Sequence, residues 1–178
     1  MNTVTSFQTL LQQGQTTTEI ALELFDELEP INLEFMLGRW KGRGFATGHK
    51  MDGLLEAMSW YGKEFVSPEQ VHPLLFSDGN DLFKVDPNPS LMNWGLNMSI
   101  PKNDALKPIY SAMSKLLKTE ESKARLRMME YRGKVSATMI YDYLPINDVF
   151  RRVDDNTVLG LMDFKPMSQP FFFVLTRD

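Results

Sequence analysis

From residue 124 to the end of the chain the sequence alternates, and turn signals cut the alternation at regular intervals. Val135, Ala137, Met139, Tyr141 and Tyr143 interleave with Lys134, Ser136, Thr138, Ile140 and Asp142, a period of two with one apolar exception. Turns are signalled at Arg132-Gly133, Leu144-Pro145-Ile146-Asn147, Asp154-Asp155-Asn156 and Lys165-Pro166. The pattern predicts five strands, over 124–132, 134–143, 147–153, 156–164 and 170–177. Connections of hairpin length make consecutive strands antiparallel neighbours. An antiparallel meander of that length rolls up, because closure removes exposed edges. The expected fold is therefore mainly β with helices (α+β).

The residues before the meander supply the helices. Thr5 or Ser6 caps a short helix that ends at Gly14. Thr16 and Glu19 fit a capping box, and Ile20, Ala21, Leu24, Phe25 and Leu28 then recur at helical spacing until Pro30. From Leu37 to Ala46 the chain reads as a strand with Arg39, Lys41 and Arg43 on one face. Its other face holds Trp40 among Gly38, Gly42 and Gly44, which implies bending or close backbone approach. A helix is expected near 52–65, with Leu54, Leu55, Met58 and Tyr61 on one side. Residues 67–99 read as loops with short strands near 81–85 and 91–98, and a further helix is expected over 107–118. The expected organisation is one domain over 1–178: helices in 1–36, a glycine-tryptophan segment in 37–100, and a helix plus meander in 101–178.

The chain has 178 residues, of which 43% are apolar and 24% charged, enough for one cored domain. It has no cysteine, which removes disulfides, thiolate metal sites and cysteine nucleophiles. A net charge of −4 argues against a general nucleic-acid binder. No run of about 20 apolar residues offers a membrane span, so no stable membrane insertion is expected. The first thirteen residues lack a basic n-region and a long apolar stretch, and a cytoplasmic location is expected. Charge is uneven: residues 1–38 hold six acids and no Lys or Arg, while 102–134 hold nine basic residues against four acids. Such runs are usually solvated surface, and otherwise a rim for an anionic ligand.

Gly38-x-Trp40-x-Gly42, after a helix and with Arg177 in the last strand, resembles the calycin superfamily of lipocalins and fatty-acid-binding proteins. The resemblance implies a calycin-like β-barrel or half-barrel with N-terminal and inserted helices, its closed end formed by Trp40 under Arg177. More of the chain is similar to the bacterial GxWxG-domain proteins. The similarity runs through Thr47-Gly48-His49, Asp52-Gly53, Trp60-Tyr61-Gly62-Lys63 and Val71-His72-Pro73-Leu74. Ser136 to Asp142, Pro145-Ile146 and Leu159 to Asp163 resemble that family's companion C-terminal domain of unknown function. The two segments are expected to form one barrel, since neither has enough strands to close alone. The same glycines also resemble nitrobindin-type haem barrels, which bind iron through a His on a late strand. Here both histidines, His49 and His72, are early.

The leading functional expectation is binding of a hydrophobic or amphipathic small molecule, such as a fatty acid or phospholipid, in the barrel. Twelve methionines suit walls that accept flexible acyl chains, or simply an irregular core. The candidate ligand-binding residues are His49, Trp60, Lys63, Met128, Met139, Tyr141 and Phe150. Head-group contacts are expected from Lys63, Arg125 or Arg127, with Tyr141 or Tyr143 as hydroxyl donors. Strand parity opposes Met128 to the two arginines, and Met128 is placed inward. A second expectation is an isomerase or hydrolase using His49 or His72 beside a carboxylate. Tyr141, Asp142 and Asp148 are a possible acid–base set, although Tyr141 and Asp142 fall on opposite faces and as a pair make a poor dyad. A third is a structural or interaction protein that forms a homodimer through Phe171-Phe172-Phe173 or the apolar side of an edge strand, with the acidic N-terminal helix on a neighbour's basic strand as one route. No catalytic residue, metal or cofactor is assigned.

Overall fold

Alternation along the C-terminal half becomes a sheet that closes on itself. The computed structural model describes residues 3–79, 81–87 and 115–178. Its helices are α1 (Thr3–Gln13), α2 (Thr18–Glu27), α3 (Leu33–Met36) and α4 (Leu54–Ala57). The first half carries strands β1 (Glu29–Pro30), β2 (Gly38–Gly44), β3 (Trp60–Ser67), β4 (Gln70–Ser77) and β5 (Leu82–Lys84). The second carries β6 (Ala124–Tyr131), β7 (Lys134–Tyr141), β8 (Ile146–Arg152), β9 (Thr157–Phe164) and β10 (Phe171–Arg177). The five predicted meander strands thus appear within a few residues of their expected bounds.

Eight strands close the circuit β2-β3-β4-β6-β7-β8-β9-β10, with every paired neighbour antiparallel and β10 returning to β2. The closed barrel decides between the barrel and half-barrel expectations. β5 folds back on β4 outside the circuit. The thinnest seam is β4–β6, which pairs at Val71 and Ala124 and is reinforced by the Ser122 hydroxyl, donor to and acceptor from Val71.

Parity divides the apolar residues into two cores. Met139, Tyr141, Phe150, Phe171, Phe173 and Leu175 fill the lumen. Val149, Leu159, Leu161, Phe172 and Val174 point outward and are covered by Phe7, Leu24 and Phe25 of α1 and α2. The ring of Phe172 meets Phe25 edge-on at 6.2 Å. All three phenylalanines of 171–173 are therefore buried within the chain, and the dimer route expected through them is closed. Asp26, in α2, pairs with Arg132 of the same chain.

One end of the lumen is sealed by β1, α3 and β2. Ile31 bridges the gap beside β7, its N–H donating to Ser136 Oγ and its carbonyl accepting from Ala137 N. Trp40 is fully buried there, its indole N–H donating to Met36 O at 2.8 Å. Arg177 lies over the ring with its guanidinium carbon 4.3 Å from the centroid, as the calycin resemblance implies.

Four local expectations need correction. The first helix already runs from Thr3, ahead of the expected cap at Thr5 or Ser6, and Gln70–Ser77, read as loop, is β4 of the barrel circuit. The helix placed near 52–65 is only α4; Ser59 leaves it at a φ of +60°, and the aromatic run from Trp60 continues as β3. Packing of that run against β2 and β4 outweighs the helical spacing read from Leu54 to Tyr61. The cap of α2 is Thr17, whose side chain accepts from Ile20 N, rather than Thr16. The strand expected near 91–98, and the helix over 107–118 apart from 115–118, lie outside the described residues.

Candidate functional site

At the other end of the lumen the side chains stop short of filling it. A cavity of about 100 Å³ remains, with walls from Leu74, Phe76, Ile146, Met162, Phe171 and Phe173. Met51, Leu54, Leu55 and Met58, on and around α4, close over it. The loop before α4 is fixed by its own polar groups. The amides of Thr47 and His49 both donate to Asp52 Oδ2, and Met51 N donates to His49 Nδ1. Gly44 N donates to Glu56 Oε1 at 2.7 Å, tying α4 to the end of β2.

The cavity surface is almost wholly apolar, and the polar groups of Trp60, Lys63, Tyr141 and Asp148 lie just behind it. A bulge in β3 makes this possible. Trp60 and Lys63 are an odd number of residues apart, and a regular strand would turn them to opposite faces. Register shifts flank Gly62, whose φ is +153°, and a Cβ there would sit 1.9 Å from Trp40 O. Only glycine fits, and the extra residue turns both side chains inward. Gly42 on the neighbouring strand is constrained by a side chain instead, because the indole of Trp60 lies 2.1 Å from where a Cβ would be.

Lys63 Nζ meets Asp148 Oδ2 at 2.9 Å, with both side chains at most 4% exposed. β3 and β8 are four strands apart by either path around the circuit, so the pair spans the lumen between opposite walls. The ammonium also donates to Pro73 O at 3.1 Å. It lies over the rings of Phe173, Trp60 and Tyr141, at 5.1, 5.5 and 5.8 Å from their centroids. Aromatic faces and two oxygen acceptors hold a cation where water is excluded. Burial lifts the Asp148 carboxyl above the usual carboxylate range, although the Lys63 charge pulls the other way. Burial, with the charge of Asp148 nearby, pushes the Tyr141 hydroxyl well above its ordinary value, so it stays protonated. Two buried atoms of the set, Asp148 Oδ1 and Trp60 Nε1, have no hydrogen-bond partner among the described residues.

Of the residues expected from sequence, Trp60, Lys63 and Tyr141 converge on this cavity. Met139 and Phe150 face the lumen as fully buried core, with Phe150 packed on Phe65 and Phe173, and neither lines the cavity. Met128 is misplaced in that expectation: it shares the parity of Leu126 but lies beyond the packed interior and is 45% exposed. His49 is buried against Phe171, at 5.3 Å between rings, and belongs to the loop framework rather than the cavity wall. His72 lies opposite Glu64 on the β3–β4 ladder, and it too is absent from the cavity. That removes the imidazole required by the histidine-enzyme expectation and by the haem-barrel alternative. Arg125 pairs with Asp142 and Arg127 with Glu69 outside the barrel, and Tyr143 is 71% exposed, so none of them forms a basic mouth. Asp148, considered from sequence only in an acid–base set with Tyr141 and Asp142, is missing from the expected ligand-binding residues yet lines the cavity. Its signal was parity, because it sits between the inward Ile146 and Phe150 on one strand.

The chain matches the family described as "GXWXG protein" over residues 23–80, and the "Domain of unknown function (DUF4334)" over residues 122–177. The first match contains β2 to β4 and the second β6 to β10, so the one barrel draws strands from both. No curated protein matches. A solved structure, described as "Crystal structure of protein from Thermomonospora curvata", is similar over 100% of this chain and 99% of its own. Its sequence identity is 32% and its TM-score 0.73. With both segments matched and a full-length relative at that identity, the chain belongs to the GXWXG family in its form with the companion DUF4334 domain.

Proposed function

We propose that this protein binds a small hydrophobic or amphipathic molecule in the barrel cavity, with one polar group of the ligand at the Lys63–Asp148 floor. The observation that carries this reading is the pair of unpartnered buried atoms there, the donor Trp60 Nε1 and the acceptor Asp148 Oδ1. A buried polar atom without a partner is destabilising by about 1–3 kcal/mol, and an apolar core of the same shape would avoid it. A ligand hydroxyl or carbonyl supplies the missing partner, while the Met, Leu and Phe walls take its apolar body. The cavity, about 100 Å³, is smaller than the engineered apolar cavity of about 150 Å³ that takes up benzene, so it favours a small ring or short-chain body. Among lipids this favours short acyl chains over a phospholipid. The cytoplasmic setting expected from the sequence is part of the same proposal; no helix among the described residues is long and apolar enough to cross a membrane.

Native mass spectrometry of freshly purified protein, followed by organic extraction, tests the reading. Near-stoichiometric co-purified small molecule, or saturable quenching of Trp60 fluorescence by octanoate, 1-octanol or cyclohexanone, is the expected result. Protein of bare mass that responds to none of these overturns it.

A further inference from the structure

We propose that the cavity floor is catalytic and moves a proton on an enolisable carbonyl compound, with Asp148 as the base and Tyr141 as donor to the carbonyl oxygen. This inference rests on the binding reading above. Three features of the floor lead to it. The Asp148 carboxylate has one oxygen occupied by Lys63 and the other, Oδ1, without a partner among the described residues. Tyr141 stands on the adjacent strand and lines the same cavity, close enough for the charge of Asp148 to act on its hydroxyl. The surrounding wall is apolar, which strengthens any charge interaction made inside it.

The step balances without a co-reactant. Asp148 Oδ1 takes a proton from the carbon beside the carbonyl. The C–H electron pair becomes a C=C bond, and the C=O π pair moves to oxygen, where the Tyr141 O–H donates a hydrogen bond to the developing enolate. Return of the proton to the same carbon gives exchange; return to the γ carbon of a β,γ-unsaturated ketone, with the double bond moving to α,β, gives its conjugated isomer. Either return restores the Asp148 carboxylate. Burial suits each group to its part, making the carboxylate a stronger base than a solvated one and keeping the tyrosine protonated as a donor. Lys63 is a positioning residue: bound to Pro73 O and Asp148 Oδ2, it fixes the carboxylate and leaves Oδ1 without a partner among the described residues. Hydrolysis fits less well, since the lining holds no Ser, Thr or Cys nucleophile among the described residues.

The test is α-hydrogen exchange of cyclohexanone in D2O, followed by NMR, with cyclohexanone binding measured on the same samples. The intact protein is expected to bind the ketone and to speed exchange saturably over buffer. Asp148→Asn should abolish the acceleration, and Tyr141→Phe, which removes only a hydroxyl, should slow it by about 100-fold while binding persists. Should Asp148→Asn fail to fold, Tyr141→Phe alone decides. Binding without faster exchange overturns the catalytic inference and leaves the binding reading intact. No binding of cyclohexanone overturns the inference, and the failure extends to the binding reading if octanoate and 1-octanol also go unbound. Acceleration that survives both substitutions overturns the assignment, as does a borohydride-trapped ketone adduct on Lys63, which would make the amine the catalyst.

Discussion

Lys63 and Asp148 project from opposite walls of the barrel and meet at 2.9 Å across its lumen. Neither could be an isolated charge at that depth. Removing one partner of such a pair leaves the other charge buried, which destabilises by about 3–5 kcal/mol, whereas replacing both by apolar residues is often neutral or better. Lys63→Met should therefore lower the urea midpoint strongly, and Lys63→Met combined with Asp148→Leu should recover most of the loss. Additive losses in that double-mutant cycle would mean that the two side chains do not act as a pair.

The acid limb of stability should carry opposite signatures from two aspartates. Asp148 has its native pKa raised by burial, so the native protein holds this proton more tightly than the unfolded chain does. Its contribution is fully present below the ordinary 3.8 and is lost as pH rises from there through the raised native value. Asp178 is the reverse. Hydrogen bonds from Arg39, Tyr61 and Lys41 hold it down to about 2, so its contribution is present above 3.8 and fades as pH falls toward 2. Chemical denaturation across pH 2–7 checks both. The stability of the native sequence relative to Asp148→Asn should decline with rising pH through the first window. Relative to Asp178→Asn it should shrink as pH falls through the second. The same slope for both variants would contradict these environments.

The meander was legible because period-two alternation and turn residues are local signals. The seat of Trp40 under Arg177 came instead from the calycin resemblance, while the surrounding glycines signalled only bending or close backbone approach. What stayed hidden depends on irregularity and long range. The bulge at Gly62 sets which of Trp60 to Lys63 turn inward, and it arises from contact with the Trp40 carbonyl on another strand. Met128 shows the converse, where parity was right and depth along the strand decided exposure. Asp148 was named from sequence only beside Tyr141 and Asp142; its pairing with Lys63 depends on closure across the lumen.

That reading makes Gly62 the most demanding glycine tested by substitution. Gly62→Ala would put a Cβ 1.9 Å from backbone oxygen, which no rotamer relieves. Gly48 also has a positive φ, +77°, but a Cβ there meets nothing within 4 Å. Gly48→Ala should be destabilising by about 1–3 kcal/mol through backbone strain alone. Gly62→Ala should exceed that clearly, and it should also abolish ligand-dependent quenching of Trp60 by undoing the inward bulge. Equal effects at the two positions, read from thermal unfolding and the quenching titration, would remove the bulge from the account of the site.

The opposite end of the barrel should be separable from function. Arg177 covers Trp40 at 4.3 Å, and its two terminal nitrogens donate to Leu37 O at 3.0 Å and Phe35 O at 2.8 Å. It thereby joins the last strand to the segment that seals the lumen. A cation–π contact contributes about 0.5–2 kcal/mol, and hydrogen bonds involving a charged group about 1.5–3 kcal/mol each. Because these terms overlap on one side chain, Arg177→Ala should destabilise by about 2–4 kcal/mol. Arg177→Lys should recover only part, since an ammonium does not reproduce the planar fork that reaches both carbonyls. Neither Arg177 nor Trp40 lines the cavity, so both variants should bind cyclohexanone as the native protein does at temperatures where they remain folded. A folded Arg177→Ala protein that lost binding would show that the sealed end helps to set the geometry of the Lys63–Asp148 floor.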